Sequence, residues 1–219
     1  MVRSVNVGRP ASESGPREER TAIRKRPVPG PVAATRLGLA GDGVGSPDVH
    51  GGPDMAVYAF AREDLDRWEA ELGLELRDGW FGENLTTSGL DVNAALVGER
   101  WRVGGAVLEV AKVRIPCHTF QLRMAEAGAP APGWVRRFTA DARPGPYLRV
   151  LEEGSVAAGD PVEVVHRPSH GVTVTHMFRA LTTDRDLLPD LLEVDGLAAS
   201  VREIASQSRG LADTGRLVQ

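Results

Sequence analysis

The sequence has little cysteine, few aromatic residues and no long apolar run. One of its 219 residues is a cysteine, and aromatic residues make up 5%. A single cysteine excludes an internal disulfide and is too few to hold an iron–sulfur cluster alone. No uninterrupted apolar stretch approaches the roughly 20 residues that a membrane-spanning helix needs. The sequence therefore predicts no membrane association.

What is present is the composition of an ordinary globular protein. Hydrophobic residues make up 42% of the chain and charged residues 26%, enough for a packed core in one large domain or in a domain with a small appendage. The net charge of −4 gives no general attraction to nucleic acid. The N-terminal segment MVRSVNVGRP lacks the apolar region of an export signal. We expect a cytoplasmic protein that binds no nucleic acid.

A local basic cluster near the N-terminus departs from this acidic balance. It consists of Arg17, Arg20, Arg24, Lys25, Arg26 and Arg36. Such a cluster is typical either of a site for a small anionic ligand or of a solvated basic loop. The residues alone leave both interpretations open.

The one cysteine, Cys117, follows a run rich in β-branched and apolar residues, AVLEVAKVRIPCHTF. Pro116 cannot donate to a sheet ladder, so we expect a strand that stops just before the cysteine. Lys112 and Arg114 are close in sequence, and nearby cations favour the thiolate, the form that attacks electrophiles and binds soft metals. The alternative is a small buried apolar side chain.

Short strands and turns dominate the chain up to residue 167. Strands are predicted at 2–7, 55–60, 147–151 and 162–165, and residues 9–20 read as a loop. One amphipathic helix is predicted after Glu63 and ends at Gly73. From His170 the apolar period becomes helical, and three stripes predict three short helices. We therefore predict a β domain over 1–167 and a three-helix domain over 168–219.

Three short blocks, HGGPD, FGENLT and RIPC, point to a known family. With IRKRPVPGPV, LGLAGD, VGERWRVGGAVLEV and PYLRVLEEGSVAAGD they resemble the MOSC domain family, named for the C-terminal domain of molybdenum cofactor sulfurase. The similarity is to its small stand-alone bacterial branch, which gives resistance to N-hydroxylated base analogues, and covers nearly the whole chain. It implies a mainly β fold: a MOSC-like β-barrel with a few peripheral helices and a C-terminal three-helix domain.

The resemblance also implies a cofactor and an activity. The barrel would hold a molybdenum cofactor, Mo-molybdopterin, rather than pyridoxal phosphate, and Cys117 would supply a thiolate to the metal. The implied activity is reductive cleavage of the N–O bond of small N-hydroxylated compounds, a detoxification. Because the sequence has no flavin, haem or iron–sulfur motif, a separate reductase would have to deliver the electrons.

Candidate site residues follow from the same blocks. Cys117 and His50 are the catalytic candidates, with His50 as a proton donor, a hydrogen-bond partner or a turn-stabilising residue. Arg24, Lys25, Arg36 and Arg114 are candidate partners of the cofactor phosphate. The full cofactor-binding set is Arg24, Lys25, Arg36, His50, Gly51, Gly52, Asp54, Gly82, Glu83, Asn84, Leu85, Thr86, Arg114 and Cys117.

Two departures from the family pattern bear on substrate choice. Thr119 stands where a lysine is frequent, and Val44 stands where a glutamine is frequent. Both departures leave the expected cofactor unchanged, but they weaken the inference that this chain acts on the same substrate as other members of the family.

Two other functions stay open at the level of sequence. The chain could carry the cofactor or sulfur on Cys117 without turnover of its own. Alternatively, a divalent cation for hydrolysis would find ligands in Asp42, Asp48, His50 and Asp54. The C-terminal helices are expected to pack on the barrel or on a second copy of the chain in a homodimer.

Overall fold

The computed structural model describes residues 1–12, 20–45, 51–130 and 132–216, with the backbone alone for residues 12, 20 and 209–216. Most of the predicted loop at 9–20 and the candidate His50 lie outside these residues. The described chain is rich in β-sheet and carries several helices.

Most strands are short and join into one large sheet. In chain order they are β1 Val2–Val7, β2 Ala11–Ser12, β3 Arg20–Thr21, β4 Arg26–Pro27, β5 Val32–Thr35, β6 Gly38–Leu39, β7 Val57–Ala61, β8 Leu85–Thr87, β9 Arg100–Val103, β10 Ala106–Val113, β11 Pro146–Glu152, β12 Gly154–Val156 and β13 Val162–His166. The large sheet has eight strands in the order β13-β9-β10-β11-β7-β8-β1-β4. Its pairs are antiparallel except β7 with β8. The N-terminal strand and the strands near 147 and 162 are confirmed.

The described strands form no closed barrel, so the predicted β-barrel is not confirmed. Within the described residues, β13 and β4 lie at its two edges, and β12-β5-β6 form a separate three-stranded sheet. The edge strand β4 has two residues, and the second is Pro27. Proline has no N–H to donate, so β4 offers little backbone for a further strand.

Five α-helices complete the described chain. They are α1 Arg62–Leu72, α2 His118–Glu126, α3 Trp134–Asp141, α4 Val174–Thr182 and α5 Ala199–Arg216, with 3-10 segments at Pro53–Met55 and Arg185–Glu193. The predicted α1 is confirmed: Gly73 ends it at φ 66° and donates its N–H to the Glu69 carbonyl over 2.8 Å. The sequence did not predict α2 and α3. Among the described helices, none has the length and apolar character to cross a membrane.

Helical structure also follows residue 167, although its middle segment differs from the prediction. Thr173 caps α4 by accepting a hydrogen bond from the His176 N–H over 3.0 Å. The segment Arg185–Glu193 is a 3-10 helix with Pro189 inside it. Proline lacks the donor that an α-helical turn requires at this point.

The C-terminal helices share a hydrophobic cluster with the large sheet. Met177 and Leu191 belong to the same buried cluster as Trp101 and Leu108 of β9 and β10. The Val97 N–H also donates to the Val172 carbonyl over 3.0 Å. One continuous core gives a reason for the two parts to unfold together. The division at residue 167 stays a prediction.

A second buried cluster is mainly aromatic and lies between α1, α2, α3 and β7. Phe81 and Phe120 meet edge to face, with ring centroids 4.9 Å apart. Trp134 and Phe138 of α3 complete the group, and Cys117 is packed against it. This cluster fixes the start of α2 relative to the sheet.

Replacing Met177 by alanine tests the shared core. All four tryptophans precede residue 168, so their fluorescence reports on the sheet and the aromatic cluster rather than on the C-terminal helices. We expect Met177→Ala to lower the free energy of unfolding seen by tryptophan fluorescence by about 2–5 kcal/mol, because a buried methionine leaves a cavity. The half-exposed Ile204 is the control, and Ile204→Ala should cost about 1 kcal/mol. A tryptophan transition that does not move, beside a shifted circular-dichroism transition, would contradict the shared core.

Candidate functional site

A cavity of about 170 Å³ opens where several distant segments of the chain meet. The lining includes residues of the segment between β3 and β4, of the β5–β6 hairpin and of the loop after β6. The FGENLT block, the RIPC block and single residues of β7 and β11 contribute the others. Of the predicted site residues, the cavity brings together Lys25, Gly82, Asn84, Arg114 and Cys117.

Cys117 lies at the start of a helix, which corrects the prediction that it ends a strand. Strand β10 stops at Val113, and Cys117 is the extended residue directly before α2, with φ −130° and ψ 175°. Its side chain is half-buried and lines the cavity. The thiol therefore borders the cavity from the N-cap position of α2.

Arg114 brings a buried positive charge to the same cavity. Its Nη1 donates a hydrogen bond to the Phe81 carbonyl. The guanidinium carbon lies 4.2 Å from the ring centroid of Phe120 and 5.2 Å from that of Tyr58. Arginine remains charged under all ordinary conditions, so these contacts hold a permanent cation beside Cys117 in the cavity lining.

Lys25 supplies a second buried cation, which is paired with Asp42. Lys25 Nζ donates to Asp42 Oδ1 over 2.6 Å and also contacts Oδ2. The same carboxylate accepts the Gly8 N–H over 2.8 Å and the Asn84 amide over 2.8 Å. Burial lowers the pKa of Lys25 although Asp42 opposes this change. The cavity lining therefore includes an ammonium that releases its proton more readily than one in water. We call Lys25, Asp42 and Asn84 the floor of the cavity.

Asn84 connects this ion pair to the sheet. Its Oδ1 accepts the Tyr58 N–H over 3.1 Å, and its Nδ2 donates to the Asn6 carbonyl over 3.2 Å as well as to Asp42. Asn84 therefore binds backbone groups of β1 and β7 as well as the Asp42 carboxylate. The neighbouring Gly82 has φ 83°, and an added Cβ would lie 2.9 Å from Ile23 Cγ1. A glycine is required there because both its conformation and the available space exclude a side chain.

Glu83 is fully buried behind the cavity lining. Its Oε1 accepts hydrogen bonds from the Gly79 N–H and from Thr86 Oγ1, the latter over 2.9 Å. Within the described part of the chain, no hydrogen-bond partner reaches Oε2. Burial raises the pKa of Glu83. Leu85 and Thr86 are buried beside it in β8, and none of the three is among the residues that line the cavity.

The other predicted residues that the structure describes are not among those that line the cavity. Arg24 is exposed and donates to Glu126 over 3.0 Å, while Arg36 is exposed in the β5–β6 turn. Asp54 pairs with Arg149 over 2.6 Å, and Gly51 and Gly52 precede it outside the cavity lining. His50 lies outside the described residues. Of the four predicted phosphate partners, Lys25 and Arg114 line the cavity.

Sequence reasoning missed several lining residues. Asp42 was considered only as a cation ligand, although its place in the LGLAGD block could have linked it to Lys25. Tyr58 and Tyr147 line the cavity from β7 and β11, and nothing in their strand patterns distinguishes them from core residues.

The described residues contain no group of three or more histidine, cysteine or acidic side chains that could hold a metal ion. Asp42 is engaged with Lys25, and Asp54 with Arg149. Asp48 and His50 lie outside the described part of the chain. The described part of the predicted divalent-cation set is thus divided between two ion pairs.

Comparison with known proteins decides the family. The MOSC domain profile matches residues 46–163, which include Asn84, Arg114 and Cys117 of the cavity. The chain is 34% identical over 174 residues to the uncharacterized protein YflK of Bacillus subtilis, covering 79% of this chain and 76% of YflK. It is 31% identical over 191 residues to the protein YiiM of Escherichia coli, covering 84% and 83% of the two chains. The chain belongs to the MOSC domain family.

Solved MOSC-family structures resemble the whole fold. YiiM from Geobacillus stearothermophilus superposes with a TM-score of 0.78 at 26% identity, covering 95% of this chain and 98% of that one. YiiM from Escherichia coli gives 0.70 at 27% identity, over 85% and 89%. A protein of Gibberella moniliformis named "Reductase" is 31% identical over 165 residues, which cover 74% of this chain and 28% of that protein.

The profile match divides the cavity into two parts. Lys25 and Asp42 precede residue 46, so the ion pair of the cavity floor lies outside the matched MOSC segment. Cys117 and Arg114 lie inside it. The cavity therefore joins the MOSC segment to the N-terminal part of this chain.

The buried Glu83 gives a pH-dependent stability that Glu83→Gln should remove. Below the ordinary carboxyl pKa of 4.5, Glu83 is protonated in the folded and the unfolded chain alike. As the pH rises above that value, the unfolded chain releases the proton first, and the wild type loses stability relative to the glutamine variant until the folded pKa is passed. Urea unfolding across this range measures the difference.

The exposed Glu75 provides the control for that measurement. We expect Glu75→Gln to show no such pH-dependent difference. A Glu83→Gln variant whose stability tracks that of the wild type at every pH would show that the carboxyl is not held protonated.

Proposed function

We propose that this MOSC-family chain is a molybdenum-cofactor-dependent reductase that cleaves the N–O bond of small N-hydroxylated compounds. The observation that carries the proposal is the cavity, where the only cysteine of the sequence lies with two buried cations, Lys25 and Arg114. A relative that bears the name "Reductase" supports a redox activity.

The donor set of the cavity fits a molybdenum–pterin group. Cys117 offers one soft sulfur, which is sufficient for a metal whose cofactor brings sulfur ligands of its own. Arg114, fixed by Phe81 and stacked on two aromatic rings, offers a permanent charge for an anionic cofactor. When bound, the cofactor supplies the two electrons that N–O cleavage requires.

Lys25 is the described residue best suited to hold a proton for the reaction. Reduction of an N–OH group to N–H and water consumes two protons together with the two electrons. Lys25 lines the cavity, and burial lowers the pKa of its ammonium group, which makes that group a better acid. Asp42 keeps Nζ in place by a direct hydrogen bond. His50 stays a second predicted proton donor.

A donor protein is part of the proposal. The relative named "Reductase" is much longer than its match to this chain, which covers 28% of it. We infer that a separate reductase delivers the electrons to the cavity. The proposed substrate is small, N-hydroxylated and reaches the cavity from solvent.

Replacing the cysteine tests the proposal. In a chain loaded with molybdenum, Cys117→Ser should lower the rate of amidoxime or N-hydroxypurine reduction with an artificial electron donor by at least about 100-fold, since even outer residues of metal sites cost 10–100-fold. Visible absorption should change as well, because a hard alkoxide replaces a soft thiolate. The unfolding free energy should change by about 1 kcal/mol or less.

The neighbouring residue supplies the control. His118 is exposed and does not belong to the cavity lining, so His118→Ala should keep the wild-type rate. Wild-type turnover in a folded, molybdenum-loaded Cys117→Ser protein would refute the mechanism. A wild type that binds the cofactor but turns over no N-hydroxylated compound would instead favour the carrier function.

A further inference from the structure

The mouth of the cavity carries two large apolar side chains that are open to solvent. Leu37 is 73% exposed and Ile115 is 47% exposed, and both belong to the cavity lining. We call this pair the lip. Single exposed leucines are common on protein surfaces and carry no meaning alone. A leucine and an isoleucine that are both exposed on the rim of one concave site, above a polar floor, instead indicate a binding surface.

Leu37 is held at the lip by a tight hairpin. It lies in the two-residue turn between β5 and β6, where Thr35 pairs with Gly38. Thr35 Oγ1 donates to the Gly38 carbonyl over 2.9 Å, and the Arg36 N–H donates to Glu153 Oε1 over 2.9 Å. These two hydrogen bonds fix the turn, and the Leu37 side chain stays exposed to solvent at the cavity mouth.

Ile115 is held by the chain that leads to Cys117. The residue before a proline is restricted to extended backbone, and Pro116 itself is buried. Arg114 on the other side is buried and hydrogen-bonded to the Phe81 carbonyl. The exposed isoleucine therefore has buried, fixed neighbours on both sides, which makes it a rigid apolar contact.

The cavity has two zones of different chemistry. Its floor presents Lys25, Asp42 and Asn84, which are polar and joined by hydrogen bonds. Its mouth presents the lip, which offers only carbon atoms. A ligand that fills both zones has a polar head and an uncharged apolar body.

We propose that Leu37 and Ile115 determine specificity by binding the apolar body of the substrate while its N-hydroxylated head lies on the floor. This inference rests on the proposed function for the head and on the exposed lip for the body. When the apolar body meets the lip, both surfaces release water, and this favours substrates that have such a body. The lip acts on binding of the body and takes no part in proton or electron transfer.

Two amidoximes test the lip. Benzamidoxime and acetamidoxime share the reacting group and differ by a phenyl against a methyl. With reduced viologen as donor, Leu37→Ser and Ile115→Ser should each lower the ratio of kcat/KM for benzamidoxime over acetamidoxime by about tenfold, the lower end of what one apolar contact discriminates. Leu122 is the matched control: it is 40% exposed, lies in α2 and is absent from the cavity lining. Leu122→Ser should keep the wild-type ratio.

Direct binding separates this inference from the proposed function. Calorimetric titration of benzamidoxime without any electron donor should give a Kd about tenfold weaker in each lip variant than in the wild type. Lip-dependent binding without turnover would leave the lip standing and overturn the reductase. Turnover with an unchanged ratio and an unchanged Kd would overturn the lip. A loss of activity in the lip variants that appears only when a protein delivers the electrons would assign Leu37 and Ile115 to a docking surface for that protein. That result would overturn the proposal as well.

Discussion

A lysine and an aspartate with little access to solvent form the ion pair that holds the floor of the cavity together. Asp42 accepts hydrogen bonds from Lys25, from the Gly8 N–H after β1 and from the Asn84 amide before β8. Loss of one partner of a buried pair leaves an uncompensated charge, at a cost of about 3–5 kcal/mol. The geometry of three separate chain segments thus depends on this pair.

The same constraint explains how distant residues reach one site. Asn84 links the ion pair to β7, because its side-chain oxygen accepts a hydrogen bond from the Tyr58 N–H. The Arg114 guanidinium in turn lies over the Tyr58 ring. Arg114 leads along the chain to Cys117 and to α2. Cys117 also packs against the aromatic cluster, which includes Phe120 of α2. Contacts within the chain therefore bring the cations, the carboxylate and the thiol to one cavity.

The sequence predicted helices and strands where the spacing of apolar residues agreed with the residue types expected at their ends. Helix α1 shows apolar residues at helical spacing and a glycine at its end, and both features were read correctly. Helix α2 was missed because one of its buried positions is Arg123, which lies 3.5 Å from the Trp80 ring centroid and hides the apolar period. Helix α3 buries only Trp134 and Phe138, too few for a periodic signal. The β-barrel implied by the family resemblance is not confirmed among the described strands, where β13 and β4 are the edges of the large sheet.

Residue type and sequence block point to several residues that line the cavity and say less about the residues that support them. Cys117, Arg114 and Lys25 line the cavity, but residue type alone does not separate these two cations from the exposed Arg24 and Arg36. Asp54 belongs to an equally suggestive block, yet it pairs with Arg149 instead. Spacing along the chain does not show that Asp54 will meet an arginine 95 residues further on. The lip could not be predicted either, since its meaning depends on exposure at the cavity mouth.

The most direct test of this account is the metal and pterin content of the wild-type chain, purified from a host that makes molybdenum cofactor. Elemental analysis and pterin fluorescence should find molybdenum and pterin in equal amounts, bound to the folded protein and released on its denaturation. A folded chain that carries neither, from cells in which another molybdenum enzyme is fully loaded, would contradict the assignment of the cavity to this cofactor.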